Sequence, residues 1–241
     1  MKVKKGKKIY FASDNHLGAP NSEISLIREK VFVKWLDEIK KDASCIFLLG
    51  DLFDFWFEYS KVVPKGFTRT LGKIAEISDS GIPIYFFTGN HDMWTENYLI
   101  NEIGVKVYRK PTEFIINDKV FFIGHGDGLG PGDYSYKLIK KVFKNNFFKW
   151  CFKLIHPDIG IRIGQFLSKK NKEMSAKKEA EFINNESEWL TQYCRKKLQS
   201  KDYDYFIFGH RHIPLDVELN SNSRYINSVS YTHLRAHETT R

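Results

Sequence analysis

Five apolar runs in this sequence each end in a cluster of aspartate, asparagine or histidine residues. Four of the five runs have a glycine directly before the first polar residue. The polar residues are Asp14 and His16; Asp51 and Asp54; Asn90, His91 and Asp92; His125 and Asp127; and His210 and His212. Because short apolar runs bounded in this way are typical of buried strands, these side chains are predicted to follow strand ends.

The order of strand-like and helix-like stretches predicts where those ends lie. In the first half of the chain, strand-like runs alternate with helix-like stretches at 22–41 and 67–80, which indicates βαβ units and a parallel sheet. Asn117 and Asp118 separate two later apolar runs in the manner of a β-hairpin turn. Since ligands of open α/β sheets bind beyond the carboxyl ends of the strands, we expect the five clusters to meet at one edge.

The chain divides into a core and an insertion on the same grounds. Residues 1–133 and 201–227 carry the strand signals and are interpreted as one α/β core, whereas residues 134–200 have a helical character and are interpreted as a cap inserted into it. Residues 228–241 have no apolar period, and we interpret them as a non-native tail. His233 and His237, which lie in that tail, are therefore left out of the predicted site.

The positive charge of the chain is concentrated in the insertion. Between positions 134 and 172 there are ten lysines and arginines and one acidic residue. The net charge of this segment, ten minus one, equals the formal net charge of +9 of the whole chain. Bulky aromatic and aliphatic residues alternate with these lysines, a composition typical of helices at an anionic lipid interface. The alternative is that the aromatics pack on the core and the lysines are simply solvated. A single-stranded nucleic acid fits less well, because the lysines do not outline a polar groove, and none is expected as a partner.

The cellular compartment follows from the cysteines and the N-terminus. Three widely spaced cysteines without a CxxC motif argue against a disulfide framework. The basic N-terminus lacks the apolar core of a signal peptide, and no apolar stretch approaches the length of a membrane span. We therefore expect a cytoplasmic protein.

Seven of the polar residues are predicted to bind metal. Aspartate, asparagine and neutral histidine, with no thiolate, suit Mn, Fe or Zn. Seven ligands are too many for one ion and suit two, with Asp51 between them as the bridging carboxylate; paired ions of this kind catalyse phosphoester hydrolysis. The predicted ligands are Asp14, His16, Asp51, Asn90, His125, His210 and His212.

Two further residues are assigned to catalysis. His91 directly follows the ligand Asn90, so we expect it to face the substrate, where it would stabilise the transition state or protonate the leaving oxygen. Asp92 is expected to fix the tautomer of His91 through a hydrogen bond.

These clusters resemble the five-block signature of the calcineurin-like metallophosphoesterases. The blocks are DNH at 14–16, GDLFD at 50–54, GNHD at 89–92, GHGD at 124–127 and GHRH at 209–212, and the resemblance covers about residues 8 to 220. It implies two stacked β-sheets flanked by helices and a dinuclear site with the seven ligands above.

A narrower resemblance is carried by the stretches GDLFDFWFEY, GNHDMW and GHGDGLGPGDYSYK. They are similar to the UDP-2,3-diacylglucosamine diphosphatases of lipid A biosynthesis. The resemblance implies two Mn²⁺ ions and cleavage of a UDP-linked diacylated glucosamine lipid to UMP and 2,3-diacylglucosamine 1-phosphate. Together with the basic and apolar composition of the insertion, this leads us to expect an enzyme bound peripherally to the anionic cytoplasmic face of the inner membrane.

The same resemblance assigns substrate contacts to Asp133 and Tyr136, and we expect Asn90 and His91 at the metal site to contact the substrate as well. His91 departs from several of these enzymes, which have arginine at that place, and returns to the general phosphoesterase form. The alternative function is a soluble metallophosphoesterase that acts on nucleotides or other phosphoesters.

Overall fold

The computed structural model describes residues 1–131, 134–181 and 188–229, without the side chains of 135 and 173–181. The first of its two sheets is wholly parallel, with neighbouring strands in chain order. Its strands are β1 (Lys8–Ala12), β2 (Ala43–Leu48), β3 (Ile84–Phe87) and β4 (Lys106–Tyr108).

The second sheet is mixed. Its strands are β5 (Thr112–Ile116), β6 (Lys119–Ile123), β7 (Tyr205–Phe208), β8 (Leu215–Asn220) and β9 (Ser223–Asn227), in the order β5-β6-β7-β9-β8. The central strands β6, β7 and β9 are parallel, and each edge strand pairs antiparallel with its neighbour. The hairpin turn between β5 and β6 places Asn117 and Asp118 at positive φ, as the sequence predicts.

The crossover helices of the first sheet begin and end close to the predicted positions. They are α1 (Ser22–Ile39), α2 (Thr68–Asp79) and the short α3 (Tyr98–Asn101). Asn21 caps α1, since its side-chain oxygen accepts the backbone N–H of Ile24 at 2.9 Å. The resulting β-α-β-α-β order brings the carboxyl ends of β1, β2 and β3 to one edge.

An aromatic core joins the two sheets. Phe47, Tyr85 and Phe87 of the first sheet pack with Ile116, Ile123 and Ile207 of the second, and the ring of Phe114 lies within 5.1 to 6.3 Å of the three aromatic rings. Burial of side chains this large contributes about 1.5–3 kcal/mol each. This core confirms the predicted α/β fold of two stacked sheets flanked by helices.

The span interpreted as the insertion forms four helices: α4 (Tyr134–Lys144), α5 (Asn146–Lys153), α6 (Pro157–Glu181) and α7 (Trp189–Leu198). Trp94, in the loop after β3, anchors the first two, because its ring packs against Phe143 and Phe152 and its Nε1–H donates to the Phe143 carbonyl at 2.8 Å. Among the described residues, no helix combines the length and the apolar character needed to cross a lipid bilayer.

The end of the chain is described only in part. Residues 228 and 229 follow β9 without regular structure, and 230–241, with His233 and His237, lie outside the described residues. The boundaries proposed for the core, the cap and the tail remain predictions.

Candidate metal centre

The carboxyl ends of β1, β2, β3, β6 and β7 meet, and the side chains that follow them form three overlapping groups. Within each group the potential ligand atoms lie within 4.8 Å of one another. The groups are Asp14, His16 and His212; His16, Asp51 and His91; and Asp51, His125 and His210. Strands from both sheets therefore contribute to one cluster.

Asp51 is the centre of this cluster and is 1% exposed. Its Oδ2 atom lies 3.3 Å from Nε2 of His125, 3.9 Å from Nε2 of His16 and 4.0 Å from Nε2 of His91. Its Oδ1 atom accepts the backbone N–H of His91 at 2.8 Å. One carboxylate thus faces imidazoles on both sides, as a bridging ligand must.

His210 and His212 belong to different groups of the cluster. His212 faces the first strand end, with its Nε2 3.1 Å from Nε2 of His16 and 3.3 Å from Oδ1 of Asp14. His210 groups with Asp51 and His125 instead. Because one residue separates the two histidines, a single turn after β7 supplies an imidazole to each half of the cluster.

The backbone of the site is held in an uncommon conformation. Five of the seven predicted ligands have positive φ, a region in which residues other than glycine are rare and cost about 1–3 kcal/mol each. These five are Asp14, His16, Asp51, His210 and His212. Such conformations persist only where surrounding contacts enforce them and are concentrated at functional sites.

The glycines before the polar residues permit close approach of the strand ends. A Cβ atom at Gly89 would lie 2.2 Å from Oδ1 of Asp51, and one at Gly209 would lie 1.8 Å from Oγ of Ser13. Both distances are far below van der Waals contact, so only glycine fits at either position.

The donor set suits divalent cations. Oδ1 of Asp14 and Nδ1 of His16 are buried and make no hydrogen bond within the described part of the chain. Burial lowers the pKa of His16 and of His210 to about 4, so both imidazoles are neutral at pH 7, which is the form that binds metal. Imidazole and carboxylate without thiolate is the chemistry of Mn, Fe or Zn sites.

The pKa of His125 is raised, whereas the pKa values of His16 and His210 are lowered. Burial disfavours its charged form, but the carboxylate of Asp51 outweighs burial and raises the pKa of His125 to about 10. A divalent cation would replace that proton and be compensated by the same carboxylate.

Comparison with known proteins identifies this arrangement. Residues 7–214 match the sequence model of the calcineurin-like phosphoesterases. The chain belongs to the calcineurin-like phosphoesterase family. This result confirms the family to which the five sequence blocks pointed.

Three relatives in this phosphoesterase family share one name. A UDP-2,3-diacylglucosamine hydrolase of Porphyromonas gingivalis is 34% identical to this chain over 229 residues, covering 90% of this chain and 87% of that protein. Proteins of the same name from Histophilus somni and Vibrio vulnificus are 27% and 26% identical, and cover 86% and 85% of this chain and 84% and 80% of their own lengths.

The structure corrects the role expected for Asp92 in this phosphoesterase. Nδ1 of His91 lies 2.8 Å from the backbone oxygen of Asp54 and 3.0 Å from Oγ of Ser168. Both carboxylate oxygens of the fully buried Asp92 instead accept backbone N–H groups, from Leu52 at 2.9 Å and Gly89 at 2.7 Å. Asp92 therefore joins two strand-end loops and does not orient the His91 ring, because the Asp54 carbonyl does so.

Asp54 has a larger part in the site than the sequence indicated. Its carboxylate accepts Oγ–H of Ser168 at 2.9 Å, forms an ion pair with Lys172, and lies 3.5 Å from Nδ1 of His16. Ser168 and Lys172 belong to α6, so Asp54 connects the inserted helix to the metal centre. The second aspartate of the GDLFD block was the available sequence signal, but its partners Ser168 and Lys172 are more than 100 residues away.

Of the two substrate contacts predicted after the GHGD block, the structure describes Tyr136 but not Asp133. The Tyr136 hydroxyl donates to Oδ2 of Asp127 at 2.6 Å, which places α4 beside the β6 strand end. Asp133 lies outside the described residues. Their contact with substrate remains a prediction.

A groove of about 1480 Å³ opens from the cluster. Its walls are the first turns of α1, the segment 62–69 and one face of α6, which includes Ile161 and Phe166. His16, Asp51, Asn90, His91, His210 and His212 line its inner end. A molecule in this groove would therefore reach the predicted ligands and the His91 ring.

Proposed function

We propose that this chain hydrolyses the pyrophosphate of UDP-2,3-diacylglucosamine to UMP and 2,3-diacylglucosamine 1-phosphate, a reaction of lipid A biosynthesis. The observation that carries the proposal is the carboxylate–imidazole cluster at the inner end of a 1480 Å³ groove. The printed name of the three relatives, one of them 34% identical over 90% of this chain, supports the same substrate.

The cofactor of this reaction would be two divalent cations, for which we propose Mn²⁺. The seven residues predicted from the sequence would hold them, with Asp51 shared between the two halves of the cluster. Such cations, when bound, lower the pKa of water and neutralise charge on the phosphate oxygens.

His91 would act on the leaving group. Because a carbonyl oxygen can only accept, the contact with the Asp54 backbone places a ring hydrogen on Nδ1 and directs Nε2 toward the cluster. A protonated ring would keep this hydrogen bond and donate from Nε2 to the leaving oxygen. In this proposal the Asp54 carbonyl holds the orientation that the reaction needs.

The groove would hold the acyl chains of the lipid. Pockets for drug-sized ligands measure about 300–1,000 Å³, so this groove has room for a larger, elongated ligand. Apolar side chains such as Leu26, Val63 and Phe166 line its outer part. Lys172 also lines the groove and forms an ion pair with Asp54, which lies next to His16 of the metal centre.

An amphiphilic substrate also requires access from a membrane, and the helices of the insertion support this. Phe147 is 63% exposed and Trp150 57%, and both lie on α5. The two α5 lysines pair with Glu96, so the exposed positive charge nearby is on α4, as at Lys141. Exposed apolar patches with basic neighbours mark surfaces for anionic lipid. We propose that the protein binds peripherally to the cytoplasmic face of the inner membrane and takes no nucleic acid.

The test is a comparison of substrates. With added Mn²⁺, the purified protein should hydrolyse UDP-2,3-diacylglucosamine in strong preference to bis-p-nitrophenyl phosphate and cyclic nucleotides. Product analysis should give UMP and the lipid monophosphate. Equal turnover of all three substrates would contradict the proposal and favour the alternative of a general phosphoesterase.

A further inference from the structure

A second, smaller cavity of about 180 Å³ lies beside the metal centre. Its floor consists of the ends of β3 and β6, with Gly89 and His125, and its rim consists of the β4–β5 connection and α4. None of its lining residues also lines the large groove. The two cavities therefore reach the cluster from different sides.

The small cavity is basic. Arg109, Lys110, Lys140 and Lys144 line it against a single carboxylate, that of Asp127. That carboxylate already forms an ion pair with Lys140 and accepts the Tyr136 hydroxyl. Lys110 and Lys144 form no ion pair within the described part of the chain, although Asp127 attracts Lys144 over a longer distance, so two positive charges at this rim are not neutralised by an ion pair.

The cavity also adjoins the predicted ligands directly. His125 lines it and lies 3.3 Å, through Nε2, from both Oδ2 of Asp51 and Oδ1 of Asn90. Asn90 in turn lines the large groove. The pair Asn90–His125 thus separates the apolar groove from the basic cavity.

We propose that the small cavity binds the nucleoside monophosphate half of the substrate. This inference rests on the proposed function, in which a diphosphate joins a lipid half to a nucleotide half. If the diphosphate lies at the cluster, the two halves extend in different directions, and only the large groove has the volume and apolar lining for acyl chains.

Size and charge agree with this assignment. A cavity of about 150 Å³ holds one benzene-sized ring, so 180 Å³ accepts one ring of a nucleotide. Lys110 and Lys144 match the phosphate charge, since oppositely charged groups in a partly closed site attract strongly. The same two lysines would hold UMP after cleavage.

The experiment measures binding of UMP and of uridine to the Mn²⁺-loaded protein by calorimetry. The variants are Lys110→Met, Lys144→Met and the double variant, and the control is Lys141→Met, an exposed lysine of α4 that does not line the cavity. We expect the double variant to bind UMP at least about tenfold more weakly, roughly 1.4 kcal/mol. Uridine, which lacks the phosphate that the two lysines would contact, should bind all five proteins equally.

Other results would overturn the inference. UMP affinity that is unchanged in the double variant would do so, as would an equal loss of UMP affinity in the Lys141→Met control, which would indicate a general electrostatic effect. Loss of binding to phosphatidylglycerol vesicles with UMP affinity retained would assign the cavity to lipid headgroups. The proposed function fails separately, if the wild-type protein does not hydrolyse UDP-2,3-diacylglucosamine.

Discussion

Asp51 lies where its carboxylate reaches both halves of the cluster. Its Oδ2 atom faces His16 and His91 on one side and His125 on the other, and its backbone is held at φ 52°. Burial opposes its charge, but His125 and the neighbouring imidazoles hold the pKa of Asp51 well below its usual range. It is therefore an anion ready to compensate cations.

Replacing Asp51 by Asn tests this role, because the amide has nearly the same shape without the charge. We expect activity to fall by about 100-fold or more and Mn²⁺ uptake to drop, since even residues that only support metal ligands are worth 10–100-fold. Asp216→Asn is the control, as Asp216 is an exposed residue of β8 paired with Arg224, a type of pair worth about 0–1 kcal/mol. Full turnover by Asp51→Asn would refute the bridging assignment.

The substitution Gly89→Ala tests whether the site requires the close approach of the β2 and β3 strand ends. In Gly89→Ala the new Cβ would lie 2.2 Å from Oδ1 of Asp51 and 2.8 Å from its backbone nitrogen, so the carboxylate must move. We expect loss of both activity and Mn²⁺ affinity, measured by assay and calorimetry.

The matched control for Gly89 is Gly72→Ala. Gly72 lies inside α2, where nothing approaches the added Cβ within 4 Å. Alanine should stabilise the protein there by about 0.5–1 kcal/mol and leave activity unchanged. If the two variants behaved alike, the steric explanation would be wrong.

The sequence predicted which residues would meet, but not how each side chain turns. Strand order brings the seven predicted ligands to one edge, and that order can be read from hydrophobic patterns. The direction of Asp92, which bonds backbone N–H groups, depends on loop torsions that no pattern encodes. The contacts of Asp54 with Ser168 and Lys172 could not be predicted from the sequence either, because these two residues lie on a helix inserted far along the chain.

At the scale of elements, long periodic segments were predicted within one or two residues, and exceptions have physical causes. Strand β4 has only three residues, too few for a hydrophobic pattern to predict it. On α1, the apolar residues Ile24 and Ile27 are exposed, while the charged residue Glu29 is buried. The Glu29 carboxylate accepts the backbone N–H groups of Arg69 and Thr70 and so caps α2, a tertiary contact that outweighs apolar periodicity.

The α5 helix carries the prediction for membrane binding. The ring centroids of Phe147 and Trp150 lie 6.2 Å apart, and both side chains are exposed. Replacing both by Ser should weaken binding to vesicles that contain phosphatidylglycerol by about tenfold or more, because insertion of each ring into lipid is worth roughly 1.5–3 kcal/mol. Vesicle sedimentation at several salt concentrations measures this, and binding should weaken as salt rises.

The control for α5 is Ile115→Ser, which changes an equally exposed apolar residue on β5. It should bind vesicles as the wild type does. Equal losses in both proteins would show that the α5 surface has no special affinity for lipid.

At the scale of the whole molecule, the site joins parts of the chain that are distant in sequence. His210 donates its backbone N–H to Oδ2 of Asp14 at 3.0 Å across 196 residues, and the first sheet contributes three strand ends while the second contributes two. A cation bound here would contact both sheets at once. Its binding free energy would therefore add to global stability and not only to local order.

This coupling gives a final prediction for thermal unfolding. Mn²⁺ at about 100 times its Kd should stabilise the folded protein by about 2.7 kcal/mol, which raises the Tm of a chain of this size by roughly 5–10 °C. EDTA should reverse the increase, and Asp51→Asn should show a much smaller one, since the carboxylate between the two halves is gone. Calorimetric scans of both proteins with and without Mn²⁺ measure this. An identical Tm shift in the two proteins would mean that Mn²⁺ stabilises the chain by binding outside this cluster, because Asp51→Asn weakens Mn²⁺ binding only at the cluster.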